Sequence, residues 1–354
     1  MARIVVGMSG GVDSAVAAFL LKQDGHDVIG VTFRTWESGG SRCCEIDSAR
    51  ETASCLGIPY HVINCSPDFK RKVEAPFISG YLHGVTPNPC IFCNPEIKWE
   101  WMLYAANVYG AEKIATGHYA SLTRRNNGLY SIRQAADTAK DQSYMLYRLT
   151  QQQLAETVFP LGELTKEEVR HIALRAGLPS ADSLDSQEIC FVTKGTYADF
   201  IDAQRPDHRK DCGNFVDRKG RILGQHSGIT HYTVGQRKGL GLAMGKPVYV
   251  IRINEKTNEV VIGTEDDLNN REMLCHNMCF SGIPGLDEGH RIRAKVKIRY
   301  HDRGTAACAE GVNKDTVRVE FDTPVRAPTP GQSAVFYDQE HCILGGGIIL
   351  PDEC

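Results

Sequence analysis

The sequence predicts an α/β chain: an N-terminal domain on a doubly wound parallel sheet, a small central domain, and a small C-terminal β-barrel. Three observations predict it. Over residues 1–65 short apolar runs alternate with helical stretches, and strands separated by helices imply a parallel sheet covered on both faces. From about residue 205 helical periodicity fades and glycines multiply, from Gly213 and Gly220 through Gly241 and Gly245. Beyond about 270 short strands recur between turn residues, as in a small barrel or sandwich. The divisions that follow are 1–204, 205–270 and 271–354.

Length and composition agree with this division. A chain of 354 residues exceeds one average core. With 42% hydrophobic and 23% charged residues it reads as an ordinary globular protein. No apolar run approaches the roughly 20 residues that span a bilayer, and the N-terminus enters a strand at once, leaving no room for a secretion signal. The expected location is cytoplasmic, with no membrane partner. Thirteen cysteines, an odd count, then read as core, metal-binding or catalytic residues in a reducing compartment. A net charge of −3 argues against a strongly basic nucleic-acid binder while allowing a local basic face.

The elements follow in order. Ile4-Val5-Val6 is a strand, and Ala15 to Leu21 a buried helix; between them lies Gly7-Met8-Ser9-Gly10-Gly11-Val12-Asp13-Ser14. Strand, glycine-rich turn and helix line a concavity with backbone N–H groups at a helix N-terminus, where about half a positive charge favours phosphate. Gly10 and Gly11 permit close backbone approach, while Ser9 and Ser14 add hydroxyl donors. The lysine of a Walker A loop and the spacing of a dinucleotide fingerprint are both absent. A second strand covers 28–33, and its terminal Phe33 either packs on an adenine ring or belongs to the core. A helix at 47–56, a strand at 60–64 and a helix around 67–83 follow.

Residues 84–94, with two prolines and two asparagines, read as a shaped loop, and helix resumes at 96–109. A fourth strand at 113–116 ends in Gly117-His118-Tyr119 at the carboxyl edge, where α/β sheets bind ligands. Lys140 to Tyr144 follow a small hairpin. Thr165 and Glu168 spell a capping box for a helix read as structural, which stops at Gly177 and Pro179. Residues 186–192 form a short strand or loop. Strands at 248–253 and 259–262 form a hairpin. In 291–300 every odd position through 299 is Arg or Lys and the even positions 292–298 are apolar. Five cations on one strand face are either a solvated barrel wall or a face for a phosphate backbone.

Cys90 and Cys93 form a C-x-x-C, but no second pair at zinc spacing accompanies it. The prolines and asparagines around it also depart from a thioredoxin-like redox motif. Cys190 supplies a third thiol that folding can bring to the other two.

The phosphate loop S-G-G-x-D-S resembles the PP-loop of ATP pyrophosphatases. Joined with T-P-N-P-x-x-x-C-N at 86–94, T-G-H-Y-A at 116–120, K-D-Q-S-Y at 140–144, S-Q-E-I-C-F at 186–191, G-Q-H-S-G at 224–228 and Y-T-V-G-Q-R-K-G at 232–239, it resembles the tRNA-specific 2-thiouridylase family over essentially the whole chain. The resemblance implies ATP-dependent thiolation at C2 of the wobble uridine of tRNA by a sulfurtransferase. It implies ATP binding, with Mg2+, at Gly7, Met8, Ser9, Gly10, Gly11, Val12, Asp13, Ser14, Phe33 and Gly117. It further implies that Asn88, Pro89 and Cys90 lie against the target base and that Lys140, Asp141, Gln142, Arg299 and Tyr300 contact tRNA.

By the same resemblance Cys190 carries a persulfide and Cys93 is the nucleophile that resolves it, leaving a Cys93–Cys190 disulfide. A cysteine desulfurase or sulfur-relay protein is the implied donor. Family members commonly carry an acidic residue where this chain has Cys90. An alternative therefore arises, in which Cys90, Cys93 and Cys190 hold an iron–sulfur cluster with one open iron. Two other classes stand beside this reading: a PP-loop ligase acting on a small molecule, and a tRNA-binding protein without catalysis. Neither uses all of the phosphate loop, the thiols and the basic strand.

Overall fold

Continuous apolar runs build the first sheet, because parallel strands are covered on both faces. The computed structural model describes residues 1–36, 46–181, 189–205 and 211–351. Strands β1 (Arg3–Gly7), β2 (Asp27–Arg34), β3 (Tyr60–Asn64) and β4 (Lys113–Thr116) come first; β5 (Ser121–Arg124) and β6 (Tyr130–Arg133) form a separate hairpin. The short β7 (Thr157–Val158) then completes a sheet of order β3-β2-β1-β4-β7, every pairing parallel.

Helices α1 (Val12–Gln23) and α2 (Ile46–Leu56) lie on one face, where Ile4 and Val6 meet Val16, Ala53 and Val169. On the other face Val5, Val31 and Phe33 meet Phe69, Phe77 and Trp99 from α3 (Ser66–Phe69), α4 (Ala75–Leu82) and the stretch joining α5 (Pro89–Cys93) to α6 (Glu100–Tyr109). Helices α7 (Gln151–Ala155), α8 (Lys166–Arg175) and α9 (Tyr197–Gln204) follow. The doubly wound sheet is as the sequence predicts. So is the start of α8, where both halves of the Thr165–Glu168 capping box are present.

The segment expected to be a loop up to Glu96 is the main departure. Helix begins at Pro89 and runs without a break to Tyr109, through a wide π-helical turn at Asn94–Trp99. Asn88 caps it, its side-chain oxygen accepting from the Cys90 N–H at 3.1 Å. Pro89 occupies the first turn, where its missing N–H costs nothing. Pro95 would crowd the carbonyl four residues earlier in a regular helix, and the wide turn gives its ring room. Side chains take up the wide turn's carbonyls: Gln153 donates to that of Pro95 at 2.9 Å and Lys72 to that of Glu96 at 3.3 Å.

The central part carries a small sheet of β8 (Gly213–Val216), β9 (Ile222–His226), β10 (Tyr249–Asn254) and β11 (Glu259–Gly263), in the order β10-β11-β8-β9. The expected hairpin is its β10–β11 pair. A closed antiparallel barrel follows, of β12 (Asn269–Phe280), β13 (Arg291–Lys297), β14 (Thr305–Asn313), β15 (Thr316–Arg326), β16 (Ser333–Tyr337) and β17 (Ile343–Ile349). Barrel and first sheet share a core, for Val335, Tyr337 and Ile343 pack with Tyr144, Leu146 and Tyr147. Among the described residues no helix is long and apolar enough to cross a membrane.

Candidate active site

The eight-residue loop stands where β1 ends and α1 begins. Gly10 has φ +88°, a conformation that favours glycine. The Ser14 hydroxyl ties the turn, accepting from the Ser9 N–H at 3.1 Å and donating to the Gly11 carbonyl at 3.0 Å. Outer partners fix it further: Thr32 donates to the Met8 carbonyl at 2.6 Å and Ser48 to that of Gly10 at 2.9 Å. Gly117, directly after β4, lies against the start of α1. A Cβ on it would fall 2.6 Å from the Ser14 nitrogen and 2.7 Å from the Asp13 carbonyl carbon. Phe33, one residue before the end of β2 on the same edge, is only 7% exposed and sits in the core cluster, which favours the core alternative for its ring.

Two residues here escaped the sequence reading. The Asp13 carboxylate accepts from the Tyr119 phenol at 2.8 Å and pairs with the Lys166 ammonium at 2.7 Å. Helix α8, read as purely structural, therefore also delivers a cation to the phosphate loop. Its capping box predicted the helix start and nothing about where the first side chain points.

The thiols stand in graded exposure. Cys90 is exposed at the first turn of α5, Cys93 is 7% exposed, and Cys190 packs half-buried on the core cluster that contains Cys93. Residues 186–188 of the motif around Cys190 lie outside the described residues, as do Cys43, Cys44 and Cys354. Asn88 and Asn94 are held against Met145: the Asn88 amide lies 3.6 Å from its sulfur, and Asn94 donates to its carbonyl at 2.8 Å.

Three distant segments converge at this point. Tyr300 is half-buried, and its phenol is pushed up to about 12 by burial, then by the Asp141 carboxylate and the Cys90 thiol. Geometry links the three: the Tyr144 and Tyr300 rings lie 6.3 Å apart, Lys297 at the end of β13 stands 3.8 Å from Asp141, and Asn94 after the Cys90 helix bonds Met145. Their roles differ, however. Asp141 is buried, its carboxylate accepting from the backbone of Ala135 and Ser143, the Ser143 hydroxyl and the Gln134 amide. Gln142 exchanges two hydrogen bonds with the Tyr119 backbone. Both shape the loop from within, and Lys140 is the cation of this stretch.

The five-cation strand is not a free row. Arg291 pairs with Glu310 and Arg293 with Asp322, so carboxylates of this same chain relieve the repulsion that a polyanion was expected to relieve. Lys297 turns inward to the buried Asp141 at 3.8 Å, and burial lowers its pKa. Arg299 and Tyr300 lie past the end of β13. The Arg299 guanidinium donates to the Ala327 carbonyl and lines a cavity of about 670 Å³ with Thr86, Tyr197, His231, Thr233 and Gln332, from all three parts of the chain.

Among the described residues the one trio of His, Cys, Asp or Glu ligand atoms within 4.8 Å of one another is Asp338, Glu340 and Cys342 on the barrel. Cys90, Cys93 and Cys190 form no such trio, and the iron–sulfur alternative draws no support from their arrangement.

Comparison with known proteins places this geometry in context. Residues 2–194 match the tRNA methyl transferase HUP domain model, 198–264 the tRNA methyl transferase PRC-barrel domain and 272–349 the aminomethyltransferase beta-barrel domain. The chain is 48% identical to the tRNA-specific 2-thiouridylase MnmA of Lachnoclostridium phytofermentans, covering 99% of this chain and 100% of that one. It is 47% identical to tRNA-specific 2-thiouridylase MnmA 2 of Caldanaerobacter subterraneus, over 98% and 97% of the two chains. To the tRNA-specific 2-thiouridylase MnmA of Clostridioides difficile it is 44% identical, over 98% of each.

Proposed function

The chain belongs to the tRNA-specific 2-thiouridylase family, and from that membership we propose how its residues replace the C2 oxygen of a tRNA wobble uridine with sulfur. The enzyme is an ATP-dependent tRNA-uridine sulfurtransferase. The observation that supports the residue assignment is that the 141–145 segment packs on both the Cys90 helix, through Asn94 and Met145, and the end of β13, through Lys297 and Asp141 and through Tyr300 and Tyr144.

A uracil carbonyl resists substitution because its oxygen leaves poorly. In the proposed path ATP binds at residues 7–14 with Gly117, and pyrophosphate departs against the loop's N–H groups. Mg2+ arrives with the nucleotide as part of the substrate, and Asp13 is the oxygen ligand the loop offers. The uridine, flipped from the anticodon stack, rests against Asn88, Pro89 and Cys90, with Lys140, Arg299 and Tyr300 on the RNA around it.

The sulfur step balances as follows. The terminal sulfur of a Cys190 persulfide bonds to C2, and AMP leaves with the former O2. The Cys93 thiolate then attacks Cys190 Sγ, the S–S bond breaks, and its electron pair stays on the sulfur at C2. The products are 2-thiouridine and a Cys93–Cys190 disulfide. In a second form Cys93 cleaves the persulfide first and free sulfide attacks C2. A thiol reductant then opens the Cys93–Cys190 disulfide, a cysteine desulfurase or relay protein reloads the freed Cys190 thiolate, and the setting is the cytoplasm. The divisions at 204 and 270 are retained as boundaries between the nucleotide, central and barrel parts.

Mass spectrometry of tRNA after incubation with ATP and a persulfide donor tests this path. Wild type yields thiolated uridine with tRNA-dependent pyrophosphate. Cys190→Ser yields no thiolated product but keeps a single-turnover burst of pyrophosphate, because adenylation precedes sulfur. Pyrophosphate release that needs no tRNA would overturn the reading in favour of a small-molecule ligase. Cys90→Asp retains thiolation on the persulfide path, and its loss would revive a thiolate role for Cys90.

A further inference from the structure

The phosphate loop contains no lysine, yet one reaches it from 153 residues away. Lys166 opens α8, where the Thr165–Glu168 box fixes the first turn and Asp137 accepts the Lys166 backbone N–H at 3.0 Å. Its side chain is only 11% exposed, and its ammonium donates to both oxygens of Asp13, at 2.7 and 2.9 Å. Tyr119 donates to the same carboxylate, and the ammonium stands 5.9 Å from the centre of its ring.

A half-desolvated ion pair of this kind contributes little stability that apolar side chains would not match. Its place is more telling than its strength. Asp13 lies in the first turn of α1, over the N–H groups that suit phosphate, and a carboxylate holding an ammonium by two oxygens presents what two phosphate oxygens would present.

Resting on the ATP-site reading above, we propose that Lys166 is a further catalytic residue, which exchanges the Asp13 carboxylate for the β- and γ-phosphates of ATP and neutralises pyrophosphate as it leaves. In that step uridine O2 bonds to the α-phosphorus. The bond from that phosphorus to the bridging oxygen breaks, its electron pair leaves on pyrophosphate, and the uridine N3 proton passes to water. Lys166 keeps its proton throughout, so its contribution is charge alone. The loop thus obtains from a second helix the cation that a Walker A loop carries within itself.

Calorimetric titration of the full chain with inorganic pyrophosphate and, separately, AMP, in metal-free buffer, tests the assignment. Lys166→Met is expected to weaken pyrophosphate binding about tenfold or more and leave AMP within about twofold, while Lys166→Arg stays within about threefold of wild type for both. Asp13→Asn releases the ammonium and tightens pyrophosphate binding. A structural ion pair would instead make Asp13→Asn and Lys166→Met weaken both ligands alike, and that result, or unchanged pyrophosphate binding in Lys166→Met, overturns the proposal. Should Lys166→Met fail to fold, Asp13→Asn decides it: pyrophosphate binding tighter than wild type supports the proposal, and unchanged or weaker binding overturns it. Wild type that binds neither pyrophosphate nor AMP in competition with ATP would remove the ATP-site reading itself, and this proposal with it.

Discussion

At the scale of single residues, His226 shows how a motif side chain serves the fold. It is buried in the central sheet; the Gly228 N–H donates to its Nδ1 at 3.1 Å, and its Nε2 faces the Asn258 carbonyl at 3.2 Å. The ring is therefore held neutral with its proton on Nε2, and burial lowers its pKa. Below the unfolded value of about 6.5 the unfolded state binds a proton that the folded state refuses. Thermal unfolding followed from pH 7.5 to 5 should lose stability on that descent, by at most about 1.4 kcal/mol per pH unit, with a flatter profile in His226→Gln. Gly117 makes a second case. Gly117→Ala drives a methyl into the α1 backbone, and a loss of roughly 1–3 kcal/mol with weaker ATP binding is expected from melting curves and titration. The serines and glycines of the phosphate loop were legible because local geometry alone dictates them. Lys166 was not, since its partner Asp13 is a tertiary neighbour that no spacing reveals.

At the scale of elements, the helix that starts at Pro89 carries Cys90 and Cys93 and explains why this segment was misread as loop. Prolines and asparagines argue against helix when they are counted, and for a helix start when their order is Asn then Pro. Asn88→Ala removes the cap and should cost about 1 kcal/mol. Thiolation should fall more than stability does, because the Cys90 turn loosens; product analysis beside a denaturation curve separates the two. The basic strand was legible in its alternation but not in its pairing, since Glu310 and Asp322 sit on other strands. Lys295→Ala is expected to reduce the salt dependence of tRNA affinity by nearly one ion, and Arg293→Ala by less, because its charge is already matched by Asp322.

At the scale of the whole molecule, the order of parallel sheet, small sheet and barrel followed from hydrophobic rhythm, whereas the way these parts lock together did not. The stretch after the β5–β6 hairpin is the lock. Tyr144 donates to the Ser333 carbonyl at 2.8 Å and Ser143 meets the Tyr337 phenol at 3.0 Å, while from the hairpin's own turn Arg125 pairs with Asp338. Lys297, 10% exposed, faces Asp141, 3% exposed, across the same boundary. Asp141→Ala strands that ammonium and should cost about 3–5 kcal/mol in chemical denaturation, with Lys297→Met costing less because Asp141 retains its other donors.

The shared core at this boundary also bears on how the protein comes into being. Synthesis on the ribosome proceeds from the N-terminus, so Tyr144 and Tyr147 emerge long before Ser333, Val335 and Ile343, the barrel residues they pack and bond with. Until the last two barrel strands clear the exit tunnel, the nascent first domain must carry an unfinished wall, with two tyrosine hydroxyls and a strip of apolar surface turned to water. On the proposed assignment the uridine site is built along that wall, so its RNA-binding surface is completed only after the last two barrel strands have been made.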